Sequence, residues 1–503
     1  MGVLNSLFYG FSIALQPENL FFCFVGVLLG TLVGVLPGIG PIGAISILLP
    51  VTFRMSPMSA IIMLAGIYYG SMYGGSTTSI LVKIPGEAAS VVTCLDGYEM
   101  ARQGRAGPAL GIAAFGSFIA GTLGLVGLML FAIPLAEFGL KFGPPEYTAV
   151  IFLGLTLITY LSHGSVLKGL MMGAVGLILS CIGLDPIQAT PRLIFDSMRF
   201  WDGIDLAPLA MGLFGVSEVL VNIEKTMAQK ILKTKIKDLF PTLVDWIQAK
   251  GAIFRGSVLG FFLGVLPGGG AVISSFVSYG LEKRWSKRPE TFGKGAIEGV
   301  AGPEAANNAA CSGAFVPLFT LGIPANIVMA LLFGAFIIHG MRPGPLLLSD
   351  HPDIFWGVVS SMYIGNAMLL VLNLPLIPVW VQVLRIPYRI LFPLILLFCL
   401  VGAYSLKTSH FDIFIMIIFG VFGYLFRKFE FEGAPLILAF VLGPILELNF
   451  RQSLVLSKGS LSIFFSSPIS AIAIVASIIL LGTSFVPHFK KLKHVYNELT
   501  TDD

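Results

Sequence analysis

The chain has 503 residues, 56% of them hydrophobic and only 12% charged, with a mean hydropathy of +0.89. A soluble domain carries about a quarter charged residues, so most of this chain belongs in lipid. The net charge of +4 is spread over loops and forms no aromatic-interleaved basic patch, which argues against a nucleic-acid partner. Neither the five scattered cysteines nor the six histidines show metal-ligand or redox spacing, so no metal site is expected.

No Lys or Arg precedes Arg54, so the first apolar run lacks the basic region of a signal peptide and is expected to be retained. Runs at 21–35, 108–134, 355–380, 411–426 and 463–486 approach the ~20 apolar residues that span a bilayer. With hairpins allowed for, roughly ten to fourteen membrane segments are expected.

The chain carries an internal duplication. Gly34-Val-Leu-Pro-Gly-Ile-Gly40 recurs as Gly264-Val-Leu-Pro-Gly-Gly-Gly270. Lys83-Ile-Pro-Gly-Glu87 is answered by Gly322-Ile-Pro-Ala-Asn326, and Arg105-Ala-Gly-Pro by Arg342-Pro-Gly-Pro, in the same order. A Pro-Gly pair inside an apolar run breaks the helix, since proline removes a donor and glycine permits a reversal. Each Leu-Pro-Gly run is therefore expected to fold back as a re-entrant hairpin. In the second copy Lys250 and Arg255 precede the turn and Lys283, Arg284, Lys287 and Arg288 follow it, which puts both ends on the cytoplasmic side; the first copy has only Arg54, on its far side. The fold class expected is an all-α polytopic membrane protein with two inverted repeats, re-entrant hairpins and discontinuous helices. A full-length spanning helix in place of either hairpin would remove the inversion.

The division expected is a first repeat at 1–223, a basic cytoplasmic linker at 224–254, a second repeat core at 255–348, scaffold helices at 349–487 and a cytoplasmic tail at 488–503. Lys490, Lys491 and Lys493 place that tail.

Two polar stretches stand before the second pair of breaks. Gly75-Ser76-Thr77-Thr78-Ser79 precedes Pro85, which at a first helical position leaves the amides of Gly86, Glu87 and Ala88 free for an anion's carboxylate. The competing reading is that these hydroxyls only let helices approach closely or bond back to their own turn. Before Pro324, Ala325 and Asn326, the adjacent Asn307 and Asn308 interrupt an apolar helix, where amides are costly unless bonded. They suit an alkali cation or a carboxylate, or else act as interhelical glue. Glu304 is either a buried proton carrier or a residue at a membrane edge. Asp96, Glu99, Arg102 and Arg105, at helical spacing, are expected on a solvated, paired face. No phosphate loop, Asp-rich metal box or Ser-His-Asp arrangement is present, which argues against an ATPase or a membrane enzyme.

These motifs together resemble the TctA family, the large membrane subunit of tripartite tricarboxylate transporters. The likeness rests on Leu36-Pro-Gly38, Gly75-Ser-Thr-Thr-Ser79, Ile84-Pro-Gly-Glu-Ala-Ala-Ser90, Glu298-Gly-Val-Ala-Gly-Pro-Glu-Ala-Ala-Asn-Asn308 and Leu321-Gly-Ile-Pro324. It extends to Gly183-Leu-Asp-Pro186 and Gly203-Ile-Asp-Leu-Ala-Pro208. The resemblance implies a bacterial inner-membrane permease that works with a small TctB-like membrane subunit and a periplasmic TctC-like solute-binding protein. It implies import of a tricarboxylate or related carboxylate, coupled to sodium or protons, with no cofactor and an elevator-like moving domain. Substrate is then expected between Gly75, Ser76, Thr77, Thr78, Pro85 and Gly86 on one side and Asn307, Asn308, Pro324, Ala325 and Asn326 on the other. Coupling cations are expected near Gly38, Gly40, Gly268, Gly269, Gly270 and Asn307. Ala325 departs from the pattern, standing where the first copy has Gly86. From the residues alone, a passive channel is the alternative, because Gly-Pro turns also line filters.

Overall fold

The computed structural model describes residues 2–36, 39–161, 165–224, 239–268, 270–384, 386 and 388–483. Pro37, Gly38 and Gly269 of the two expected tips lie outside the described residues. So do 225–238 of the expected linker and the tail with Lys490, Lys491 and Lys493.

Ten helices surround and position the polar centre of the protein. From the first half come α1 (Pro17–Val35), α2 (Gly40–Leu48), α3 (Pro57–Val82), α4 (Thr93–Arg102) and α5 (Ala106–Gly139). The second half supplies α6 (Leu243–Val265), α7 (Gly270–Trp285), α8 (Glu298–Leu321), α9 (Ile327–Ile338) and α10 (Pro352–Asn373). Their starts are written in the sequence. Ser56 caps α3, its hydroxyl accepting the Ser59 amide at 3.3 Å ahead of Pro57. Thr242 and Asp245 form a reciprocal capping box on α6, with bonds of 3.2 and 2.9 Å.

Glycines decide how these helices meet. Gly26, Gly30 and Gly34, four residues apart on α1, lie against the carbonyls of Met63, Ile67 and Ser71 on α3. Gly256, Gly260 and Gly264 on α6 lie in the same way against the carbonyls of Gly302, Ala306 and Ala310 on α8. A Cβ at any of the six would collide with backbone, so only glycine permits this approach. One helix of each half crosses to the other: α5 packs along α8 and α6, while α10 packs along α3 and α1. Enclosed in this way, α3 is buried from Met58 to Val82 and α8 from Gly299 to Thr320.

The contacts divide the described residues into two compact units, one from Met1–Leu140 and Asp205–Leu425, the other from Lys141–Ile204 and Phe426–Asp503. All ten helices belong to the first. In the second, Gly433–Leu456 packs against Pro144–Leu161 and Val166–Ser180, and a short antiparallel ribbon pairs Gly183–Leu184 with Pro191–Arg192. Asp185 heads the ribbon's turn, where its Oδ1 accepts the amides of Ile187 and Gln188, each at 2.8 Å, and Arg451 bonds its Oδ2 at 2.6 Å. The Gln188 amide first, then Arg451, hold its carboxyl well below the usual carboxylate range. Six helical stretches among the described residues are long and apolar enough to cross a membrane: Pro17–Val35, Ala106–Gly139, Leu206–Ile223, Pro352–Asn373, His410–Lys428 and Gly433–Leu456.

One expectation fails here. Asp96 is not on a solvated face but fully buried, its Oδ1 accepting the amides of Gly293, Gly295 and Ala296 at 2.8–2.9 Å and its Oδ2 the Tyr279 hydroxyl at 2.9 Å. These donors come from the other half and replace water, which helical spacing alone does not reveal. Glu99 and Arg102 do pair, at 3.0 Å, whereas Arg105 pairs with Asp245 at 2.5 Å.

Replacing Gly260 by Ala is expected to destabilise the protein by about 1–3 kcal/mol, the usual cost of overpacking. Gly173→Ala, with open space around it, should be neutral or stabilising by up to about 1 kcal/mol. Thermal melting in detergent checks both, and equal melting temperatures for the two variants would refute the packing argument.

Candidate functional site

Both central helices stop in the same way. α3 ends on Lys83 (φ 63°, ψ 26°) and α8 on Gly322 (φ 69°, ψ 25°), each a left-handed residue that terminates the helix. Ile-Pro-Gly or Ile-Pro-Ala follows, and then an extended residue that caps the next segment: Glu87 in the first half, Asn326 in the second. Glu87 Oε2 accepts the Ala89 amide at 2.5 Å, and Asn326 Oδ1 accepts the Met329 amide at 3.0 Å. The helical segment therefore begins after Glu87 and not at Pro85. The residue that meets its N-terminus is the chain's own carboxylate, because an acidic side chain two positions past the proline satisfies the orphan amide locally.

Glu304 lies in the second turn of α8 and is fully buried. Its Oε2 accepts from Ser76 Oγ of α3 at 2.5 Å and from Asn307 Nδ2 at 3.2 Å, and its Oε1 accepts from Thr93 Oγ1 of α4. All three donors are neutral. Asn308 Nδ2 in turn bonds Ser117 Oγ of α5 at 2.7 Å, the Glu304 carbonyl at 3.0 Å and Asn307 Oδ1 at 2.5 Å. One network thus joins α3, α4, α5 and α8. Neither Glu304 nor Glu87 forms an ion pair among the described residues, and Glu87 Oε1 has no hydrogen-bond partner there.

Of the expected substrate residues, Ser76, Asn307 and Asn308 meet around Glu304. Gly75 and Gly86 meet beside Glu87: a Cβ on Gly75 would sit 2.9 Å from Glu87 Cγ, and one on Gly86 would sit 2.7 Å from Gly75 Cα and collide with the Gly34 carbonyl. Thr77 is buried close by, whereas Thr78 turns to the end of α1 and donates to the Val35 carbonyl at 2.8 Å. Asn326 donates to the Tyr68 hydroxyl at 3.2 Å. Ala325 and Pro324 are buried, and the Ala325 carbonyl accepts the Gly268 amide at 2.8 Å, tying the second tip to the second break. Gly40, Gly268 and Gly270 hold left-handed conformations at the turns, with φ of 62°, 81° and 49°. Thr93 and Ser117 were legible only as generic hydroxyls on helices.

These features define the protein as a multi-pass membrane protein with polar chemistry enclosed between two broken central helices, a design found in secondary transporters. Residues 20–438 match the tripartite tricarboxylate transporter TctA family, and the chain belongs to it. It is a family of transporters and not of enzymes, which makes this chain the large membrane subunit of a tripartite system. An uncharacterized 52.8 kDa protein in the TAR-I ttuC′ 3′ region of Agrobacterium vitis is 51% identical over 471 residues, 94% of each chain. Another from the same organism, in the TAR-II ttuC′ 3′ region, is 53% identical over 212 residues, 42% of this chain and 88% of the relative. No solved structure matches.

Glu304→Ala should destabilise the protein by at least about 2 kcal/mol, since each buried donor left unpaired costs about 1–3 kcal/mol. Glu304→Gln, which keeps an acceptor in place, should cost less. Melting curves of both variants decide it; an alanine variant as stable as the glutamine one would mean that the donors do not converge on this carboxylate.

Proposed function

We propose that the chain is the translocating subunit of a cation-coupled importer of a tricarboxylate or related carboxylate in the bacterial inner membrane. It works with a small membrane subunit and a periplasmic solute-binding protein. The observation that carries this reading is the meeting of two broken helices at buried carboxylates that pair with no cationic side chain among the described residues. Two unit charges 4 Å apart interact by ~4 kcal/mol even at an effective dielectric of 20. An incoming carboxylate near an ionised Glu87 or Glu304 is therefore repelled unless a sodium ion or a proton offsets that charge. Coupling follows from that requirement.

Substrate is bound by Gly75, Ser76, Thr77, Thr78, Pro85 and Gly86 from the first half and by Asn307, Asn308, Pro324, Ala325 and Asn326 from the second. Backbone at Gly40, Gly268 and Gly270, with the Asn307 side chain, supports cations at the tips. The polar space beside Ser76 and Ser117 measures about 10 Å³, the room of about one water molecule. A di- or tricarboxylate does not fit there, so the tips move before it binds, in an elevator-like step. Glycine at the turns and the Gly268–Ala325 bond suit a tip that opens from the second break.

Purified protein with its partner subunits in proteoliposomes should accumulate labelled di- or tricarboxylate above the external concentration under an imposed sodium or proton gradient. Uptake that only equilibrates is the behaviour of a passive channel and would defeat the reading.

The two halves are, on this proposal, inverted repeats with the C-terminus in the cytoplasm. The glycine spacings and the paired helix stops support a duplication, and the basic residues around the second tip support the inversion. Single cysteines at Gly40 and Gly268 should react with a membrane-impermeant reagent from opposite faces in the resting state. Labelling of both from one face contradicts the inversion.

A further inference from the structure

The cavity of about 10 Å³ between α3, α5 and the C-terminal end of α10 has a polar wall formed by Tyr73, Ser76, Thr77, Ser117 and Asn373. All five side chains are less than 5% exposed. Asn373 Nδ2 donates to the Leu369 carbonyl at 2.9 Å, which fixes how the amide points. Asn373 lines the cavity, and its Oδ1 has no hydrogen-bond partner among the described residues. A buried oxygen with nothing to accept costs ~1–3 kcal/mol, so an occupant that satisfies it is favoured.

The hydrogens of Tyr73 and Ser76 point elsewhere. Tyr73 donates to Asn366 Oδ1 at 2.6 Å, and Ser76 donates to Glu304 Oε2 at 2.5 Å or to the Met72 carbonyl at 3.1 Å. Ser117 Oγ receives Asn308 Nδ2 at 2.7 Å. No Lys or Arg lines the space. What faces it is a set of hard, neutral oxygens, with the Glu304 carboxylate one hydrogen bond behind Ser76. Such a set offers an anion no cationic partner and suits an alkali cation stripped of water. The volume admits a single small body.

We propose that this cavity binds one dehydrated sodium ion through Asn373 Oδ1 and the hydroxyls of Ser76, Thr77 and Ser117. The proposal rests on the cation-coupled reading above and names its ion and its site, apart from the hairpin tips. With sodium in place the Glu304 charge is offset across Ser76, and a carboxylate substrate meets a neutral surface. The site joins α10 to α3 and α5, so occupancy also fixes the helix that carries Ser76 and Thr77.

Equilibrium binding of radioactive sodium to the purified full-length protein in detergent, without substrate and at constant ionic strength with choline chloride, tests this. Saturable binding is expected, displaced by lithium more readily than by potassium. Asn373→Ala and Ser117→Ala should each weaken it at least tenfold, a loss of about 1.4 kcal/mol. Asn373→Asp keeps an oxygen at the same place and should retain binding, which separates a lost ligand from a misfolded protein. No saturable binding by the wild type overturns the proposal. Unchanged affinity in both alanine variants does so too and makes the cavity a structural-water site only, as does loss of binding in a monodisperse Asn373→Asp protein. Because no carboxylate is present, a negative result leaves proton-driven carboxylate uptake standing. Sodium binding without any carboxylate uptake would remove the transport reading and keep the site.

Discussion

Close backbone contact between helices, made possible by glycine, is the constraint on which the other features depend. Lipid supplies no hydrophobic force between helices, so association relies on tight packing. The triplets at Gly26, Gly30, Gly34 and at Gly256, Gly260, Gly264 bring α1 and α6 onto the carbonyls of α3 and α8. With α5 and α10 crossing over the other side, the two central helices are removed from lipid. Only then does a segment as polar as Ser76 to Ser79, or one holding Glu304, Asn307 and Asn308, become tolerable at membrane depth.

Burial in turn sets the electrostatics. A carboxylate in such a place needs donors, and Glu304 takes them from three helices: Ser76, Thr93 and Asn307. None is charged, so the network orders the carboxyl group without giving it a counter-charge. Glu87 is in a similar position, half satisfied by the Ala89 amide. The second half has Asn326 in its place, making the same cap with a neutral group. The two helix breaks are thus electrostatically unequal, with one acidic cap, one amide cap and a buried acid in the second turn of α8.

Much of this frame was legible in the sequence. Glycine and proline mark helix contacts and helix ends through local geometry, so the repeated turns, the breaks at Pro85 and Pro324, and the polar stretches before them could be placed from residues alone. What was not legible depends mostly on distant parts of the chain. Whether Asp96 is solvated or buried depends on amides 197 to 200 residues downstream, and the setting of Glu304 depends on Ser76, 228 residues upstream. No local pattern holds such information. Pro85 misled for a nearer reason, because the cap of Glu87 on Ala89 outcompetes proline's preference for opening a helix.

The exchange of α5 and α10 between halves bears on how the protein is made. When synthesis has reached the end of α6, α5 still lacks α8, and Asp96 lacks every donor that later surrounds it. The first half is inserted with its central helix unsealed and a carboxylate still dependent on water. Residues 279–296 supply the donors to Asp96, and Pro352–Asn373 later covers α3, so the first half depends on the second for both its charge and its seal.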